Sequence, residues 1–320
     1  MTKLTVAAAQ YGLTDIRNEE QFWTRLADKT RDAAERGAEL IVFPEYTTTH
    51  LLSLEPPMSH EEACAYLDRR TGEYMRFFGA LSRETGIAIL AGTHVCKGNG
   101  EKEGAGLSDL DGEGAGAGAG EVMDDGPRGF VNRAFLFFPD GRVEGQSKIH
   151  LTPEEQRHWP LAPGTGLNVF DTPWGKTAIL ICYDVEFPEL ARAAALQGAE
   201  TILCPSYTDS AFGYYRVRHC SQARAVENQL FVVLSGLVGA LSEERPQVDA
   251  GYSQAGAFAP CDYPFVPDGV LAAGETNVDA SVIAELDYDL LRENRTRGGV
   301  APFYDRKPDV YERELSKGGL

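Results

Sequence analysis

Three short stretches of this chain end an apolar run on a side chain that can do chemistry. Leu40-Ile-Val-Phe-Pro-Glu45-Tyr46 reaches a carboxylate, Ser147-Lys148-Ile149-His150 presents an ammonium beside an imidazole, and Ala178-Ile-Leu-Ile-Cys182-Tyr183-Asp184 reaches a thiol. A deprotonated thiol is a nucleophile, a carboxylate moves protons, and fixed donors steady a developing negative charge. Ligand sites in α/β sheets lie just beyond strand C-termini, so three such ends are candidates for one cavity, whose assembly is a matter of tertiary structure. Taken singly, each has an ordinary explanation: Glu45 as a solvated strand end, Lys148 as a surface ammonium, Cys182 as a small core filler. What lifts Cys182 out of that explanation is Phe187-Pro188-Glu189-Leu190. This is a helix start with Pro in its first turn, and the amides of a helix N-terminus favour an anion. A stabilised thiolate is therefore expected.

Strands and helices must deliver those ends. Leu4 to Gln10 reads as a buried strand, and Phe22, Leu26, Thr30 and Ala33 recur at helical spacing between Asn18 and Arg36, with Gly37 as the stop. Leu40 to Phe43 predicts a second strand, His60 to Arg83 a second helix ending near Gly86, and Ile87 to Val95 a third strand. Further strands are predicted from Val131 to Phe138, Arg142 to Ile149, Lys176 to Cys182, Thr201 to Cys204, Leu230 to Leu234 and Ser281 to Leu286. Helices are predicted from Pro188 to Gln197 and from Tyr214 to Asn228, and Pro139-Asp140-Gly141 is a hairpin turn signal. The succession is that of an α/β layer fold with helices on the outer faces. Residues 97–128 interrupt it with ten glycines and eight acidic residues against three basic. Such a segment cannot offset its ordering entropy by burial, so a mobile insertion is expected there.

Composition narrows the function classes. With 320 residues, 43% hydrophobic and 24% charged, the chain can bury a core, and its net charge of −18 repels phosphate backbones and anionic lipid surfaces. No nucleic-acid partner and no membrane association are expected, since no apolar run approaches the ~20 residues of a membrane span. The N-terminus shows no apolar stretch followed by a small-residue cleavage site, so a cytoplasmic location is expected. Six cysteines without Cys-x-x-Cys spacing read as reduced thiols and give a metal site of the common kind no support. Gly175-Lys176-Thr177 lacks the earlier glycine of a phosphate-binding loop, and no Gly-x-Ser-x-Gly elbow is present.

The blocks Phe43-Pro44-Glu45-Tyr46, Ser147-Lys148-Ile149-His150-Leu151 and Cys182-Tyr183-Asp184-Val185-Glu186-Phe187-Pro188-Glu189 resemble, in order, the three signature blocks of the nitrilase superfamily of carbon–nitrogen hydrolases. The resemblance runs from Val6-Ala-Ala-Ala-Gln10 through Ala223 to Asn228 and on to Asp305-Arg306-Lys307-Pro308, nearly the whole chain outside the insertion. It implies a four-layer α-β-β-α sandwich in a single domain over 1–320, with subunits assembling into homodimers or larger homo-oligomers. It also implies a Glu-Lys-Cys site at Glu45, Lys148 and Cys182 that takes a small amide-type substrate with no metal or organic cofactor. Glu45 would then serve as general base, and Lys148 with the Tyr183 amide would stabilise the oxyanion on the way to a thioester. Amidase members carry a second glutamate shortly after the lysine; Glu155 is the better match and Glu154 the alternative, while Thr152-Pro153-Glu154-Glu155 reads equally as a capped helix start.

Cys182-Tyr183-Asp184 is similar to the amidase and carbamoylase branches, whereas nitrilases usually follow the cysteine with Trp-Glu. Hydrolysis of a linear amide or N-carbamoyl compound is expected, with nitrile hydrolysis or an idle binding protein of the same fold as alternatives. Many relatives have Arg where this chain has Glu186, and the N-terminal half also resembles a branch whose members sometimes carry a fused acetyltransferase domain, which these 320 residues do not contain. Tyr46, Tyr183, Tyr207 and Phe212 near strand ends suggest an aromatic substrate pocket. A papain-like pairing of Cys182 with His150, His158 or His219 is the competing thiol chemistry.

Overall fold

The computed structural model describes residues 3–98 and 129–318, so apart from Lys97 and Gly98 the glycine-rich insertion lies outside the described residues. Thirteen strands among the described residues form one hydrogen-bonded sheet that divides at its first strand. That strand, β1 (Lys3–Leu13), pairs in parallel with β2 (Leu40–Val42) on one edge. On its other edge Lys3 to Gln10 pair antiparallel with the last strand, Ala280–Asp287, and Gln10 to Leu13 pair in parallel with Phe231–Ala240.

One half of the sheet therefore continues from β1 and β2 to β3 (Ala88–Lys97), β4 (Phe130–Phe137) and β5 (Val143–Ser147). The other comprises β6 (Val169–Thr172), β7 (Gly175–Ile179), β8 (Thr201–Ser206), β9 (Phe231–Ala240), the two-residue β10 (Ala250–Gly251), β11 (Gly256–Phe258) and β12 (Val270–Ala273); β13 (Ala280–Asp287) closes the first half. The predicted Pro139-Asp140-Gly141 turn joins β4 to β5, with Phe137 opposite Val143.

Alternation along the strands builds the layers. Val6, Ala8, Val42, Leu90 and Leu136 share one core with Leu180, Ile202 and Leu234 of the other half. Their neighbours Ala7, Ala9, Ile41 and Ile89 face the opposite way. There they meet Phe22 and Leu26 of α1 (Glu19–Glu35) and Tyr74 and Phe78 of α3 (Thr71–Thr85). A two-residue side-chain period makes each strand a wall between two cores. On the far side of the second half, α5 (Pro188–Leu196) and α6 (Ala211–Asn228) contribute Ala191, Ala194, Val217 and Ala225. The result is the helix–sheet–sheet–helix sandwich expected from the sequence. No helix among the described residues is long and apolar enough to cross a membrane.

The structure corrects the predicted helix from His60 to Arg83. It is two helices, α2 (His60–Asp68) and α3, separated at Arg69 and Arg70. The break is held by Arg70, whose guanidinium lies 2.5 Å from Glu19 of α1 and 3.3 Å from Glu73. Buried Ala63, Cys64 and Leu67 continue into buried Tyr74, Met75 and Phe78, so the apolar spacing carries across the break and disguises it. Between α4 (Pro153–His158) and the C-terminus, the short strands β6, β10, β11 and β12 and the helices α7 (Tyr288–Arg297) and α8 (Pro308–Leu315) were not predicted. β12 is four residues long and only partly covered, and α8 buries no side chain.

Candidate active site

β2, β5, β7 and β8 end on the same side of the sandwich, and the reactive residues follow within a few positions of each end. After β2 the chain turns sharply at Tyr46, whose φ of 57° begins a 3₁₀ helix over Thr47–Leu54. Gly92 of β3 makes room for this turn: its φ is +70°, and a Cβ there would stand 2.1 Å from the Pro44 carbonyl oxygen. The Tyr46 N–H donates to Thr93 Oγ1 at 2.8 Å, and Glu45 between these anchors is 1% exposed.

Lys148 follows β5 and donates its main-chain N–H to Asn132 O at 2.8 Å. Its Nζ lies 2.8 Å from Glu45 Oε1, and 2.9 Å and 2.8 Å from the two oxygens of Glu155. Glu155 occupies the third position of α4, where it closes a capping box: Thr152 Oγ1 accepts its N–H and Glu155 Oε2 accepts the Thr152 N–H. The capped-helix reading of Thr152-Pro153-Glu154-Glu155 holds, and of the two glutamates it is Glu155 that reaches Lys148. Glu154 points away, 3.6 Å from His158, with its side chain 65% exposed.

Cys182 opens a 3₁₀ turn over Cys182–Glu186 with φ +49°, a left-handed conformation that costs a non-glycine residue roughly 1–3 kcal/mol and is typical of functional sites. Asp184 ties this turn to the lysine segment. Its carboxylate accepts the N–H groups of Ile149, His150 and Ile181 at 3.3, 2.7 and 3.2 Å, and it contacts His150 Nδ1 at 2.9 Å. Ser206 Oγ donates to Cys182 Sγ at 3.3 Å, and Sγ lies 3.4 Å from Tyr207 O. The Tyr207 N–H donates to Glu45 Oε2 at 3.1 Å, so one residue at the end of β8 touches both the thiol and the carboxylate.

Burial sets the charges. Burial lowers the Lys148 ammonium, but Glu155 and Glu45 outweigh it and hold its pKa well above the usual value. Burial raises Glu45, Lys148 draws it down, Glu155 raises it further, and the net direction is up. Glu155, despite its own burial, is held below the ordinary range by Lys148. Burial and the nearby Glu45 charge push the Cys182 thiol well above its usual value. The expected stabilised thiolate is therefore overturned: α5 begins only at Pro188, beyond the 3₁₀ turn, and the sulfur faces a carboxylate in a dry site.

The cluster forms the floor of a cavity of about 700 Å³, within the range of small-molecule sites. Tyr46, Tyr183 and Tyr207 line it. The Tyr46 hydroxyl donates to Glu155 Oε1 at 2.5 Å, and its ring stacks on Trp159 with centroids 5.1 Å apart. Tyr183 packs edge-on against Phe187. Phe212 is not a wall residue: it is 84% exposed on α6. The papain-like alternative also fails, since no histidine among the described residues is hydrogen-bonded to Cys182. His150 is held by Asp184 and stacked on Phe187, His158 pairs with Glu154, and His219 stacks on Tyr215 at the surface. Glu186 pairs with Arg216 at 3.4 Å. Sequence reasoning missed Asn132, Asp184 and Ser206. Ser206 ends a strand by the same rule that found Glu45, and Asn132 is a polar residue inside an apolar strand.

The sequence profile of the carbon–nitrogen hydrolases matches residues 5–293. The chain belongs to this family, within the nitrilase superfamily. A probable hydrolase, YhcX of Bacillus subtilis, is 36% identical over 98% of the chain, which spans only 55% of that relative's length. The N-carbamoylputrescine amidase of Solanum tuberosum is 28% identical, covering 99% of this chain and 96% of that protein. Among solved structures, the carbon–nitrogen hydrolase of Helicobacter pylori superposes with a TM-score of 0.72 at 20% identity, covering 98% of each chain, and shows the shared fold.

Proposed function

We propose that the protein hydrolyses the carbon–nitrogen bond of a small amide or N-carbamoyl compound through a thioester on Cys182. The observation that carries this reading is the Lys148 ammonium within 2.9 Å of both Glu45 and Glu155, buried at the floor of a cavity that also presents the Cys182 thiol. Amidase activity in the names of the potato and other relatives supports it, as does an amidase of Nesterenkonia whose active-site cysteine carries a covalent acetamide moiety.

The chemistry follows from the geometry. Glu45 removes the thiol proton as sulfur attacks the carbonyl carbon, which avoids maintaining a buried thiolate before substrate arrives. The oxyanion is met by Lys148 and by the Tyr183 amide, which precedes the hydrogen-bond ladder of its turn. Glu45 returns its proton to the departing nitrogen, then takes one from the water that cleaves the thioester. Glu155, anchored by Tyr46 and the capping box, holds Lys148 in place.

The outer wall supports a substrate that carries an amine and not a carboxylate. Glu154, Glu186, Asp209, Glu244 and Asp249 line it. The two arginines there, Arg216 and Arg245, are each already paired with a carboxylate. With Glu186 paired to Arg216 and Arg245 held by Glu243, the wall keeps an acidic excess in Glu154, Asp209, Glu244 and Asp249, and an acidic excess concentrates cations. Ammonia release should be measured on amides, N-carbamoyl compounds and nitriles with neutral, cationic and anionic tails, together with intact-protein mass during turnover. An acyl adduct at Cys182 and a faster cationic series are expected; turnover by the Cys182→Ala protein would refute the reading.

A further inference from the structure

Asn132 lies at the centre of the cluster and is not assigned a step by the mechanism. It is 1% exposed on β4, with Nδ2 2.9 Å from Glu45 Oε1 and 3.4 Å from Glu155 Oε1. Two carboxylate oxygens facing the same amide end fix its orientation, because the flipped amide would set oxygen against oxygen. The same residue accepts the Lys148 N–H on its main-chain oxygen at 2.8 Å. Its Oδ1 is buried with no hydrogen-bond partner. A buried acceptor left unpaired weakens the folded state, so packing alone does not account for an amide at this position.

From this we infer that Asn132 is a positioning residue for the base: its amide holds Glu45 as a carboxylate, with Oε1 occupied and Oε2 turned to the thiol side. Oε2 is the oxygen that meets the Tyr207 N–H, and the Tyr207 carbonyl in turn lies 3.4 Å from Cys182 Sγ. The other groups facing Glu45 are Lys148 after β5, Glu155 in α4 and Cys182 in its turn. Asn132 supplies an uncharged side-chain amide donor to Oε1, as the Tyr207 main-chain N–H does to Oε2. A donor to a carboxylate favours the charged form, so removing it raises the pH at which the base ionises.

The inference rests on the hydrolase reading but is tested separately from it. Asn132→Leu should lower kcat about 10–100-fold with KM nearly unchanged and move the acid limb of the kcat/KM profile to higher pH. Asn132→Asp should be poorer still at alkaline pH and recover relative to the leucine variant as pH falls, since a protonated carboxyl can again donate. In parallel, the pH dependence of Cys182 alkylation by iodoacetamide, resolved from the other five thiols by peptide mass, should shift upward in Asn132→Leu. A wild-type pH profile in both variants, with only thermal stability reduced, would overturn the proposal. If the wild-type protein turned over no amide, the hydrolase reading would fail while the alkylation profile still decided the role of Asn132.

Discussion

The floor and the rim of the cavity are built on opposite principles. At the floor Glu45, Lys148 and Glu155 are almost fully buried and each polar contact is made to another member of the cluster or to a main-chain group. At the rim the side chains of Arg216 and Glu154 are 61% and 65% exposed, and their contacts with Glu186 and His158 measure 3.4 and 3.6 Å. In a dry site a charge left unpaired is costly and a paired one is strongly coupled, whereas exposed pairs contribute little. The floor is therefore specified as a unit, and the rim can vary without disturbing it.

The sharpest way to break this contrast is at the nucleophile. Cys182→Ala should abolish ammonia release and acyl-adduct formation, while its melting temperature shifts by no more than about 1–2 kcal/mol of stability would give. A large stability loss would mean that the strained turn, and not the thiol, is what the residue maintains. Lys148→Met attacks the unit itself. It leaves Glu45 and Glu155 facing each other without a cation, and the expected cost is about 3–5 kcal/mol together with loss of activity. The pH dependence changes. In the wild type the two carboxyls oppose each other: Glu155, held below its ordinary value, contributes stability above that value that is lost as pH falls through the lowered one, whereas Glu45, held above its ordinary value, favours the fold as pH falls. In the variant, burial and mutual repulsion raise both carboxyls, so the folded state takes up protons first and becomes more stable as pH falls. Melting curves between about pH 4 and 8 distinguish the two slopes, and parallel slopes would show that Lys148 does not couple the carboxylates.

Asp184→Asn should have an intermediate effect. Asp184 joins the Cys182 turn to the lysine segment through three main-chain amides, and the amide retains only one good acceptor for them. We expect roughly a tenfold loss of kcat and about 1 kcal/mol of stability, read by steady-state kinetics and denaturant titration. An unchanged kcat would show that the turn is positioned by β7 alone.

What the sequence revealed of this arrangement followed its locality. Glu45 and Cys182 were legible as the ends of apolar runs and Lys148 as the residue after a hairpin's second strand; strand and helix periods in β1, α1 and α6 gave an α/β layer fold, while its four layers were implied by the family resemblance. The charge of the thiol was misread because a helix start a few residues downstream is visible in sequence, whereas burial against Glu45 is a tertiary fact. Asn132 escaped for a related reason: its partners lie 87 and 23 residues away, and the polar pair Asn132-Arg133 in a strand reads as part of a solvated face. The break at Arg69 and Arg70 was hidden by apolar spacing that continued through it.

The smallest effect belongs to the rim and sharpens the contrast most directly. Asp209 lines the outer cavity and is exposed, so Asp209→Asn removes one unit of negative charge without leaving a buried group unpaired. For an amide with a neutral tail, kcat and KM should both stay within about twofold, since an exposed charge is screened beyond ~8–10 Å at ordinary salt. For the same amide with an ammonium tail, KM should rise about two- to fivefold at low ionic strength and converge on the wild-type value as salt is raised. A fall in kcat on the neutral substrate would place Asp209 with the floor. Indifference of the cationic substrate would remove this carboxylate from substrate recognition, leaving Glu186, half-buried beside Arg216, as the next wall residue to neutralise.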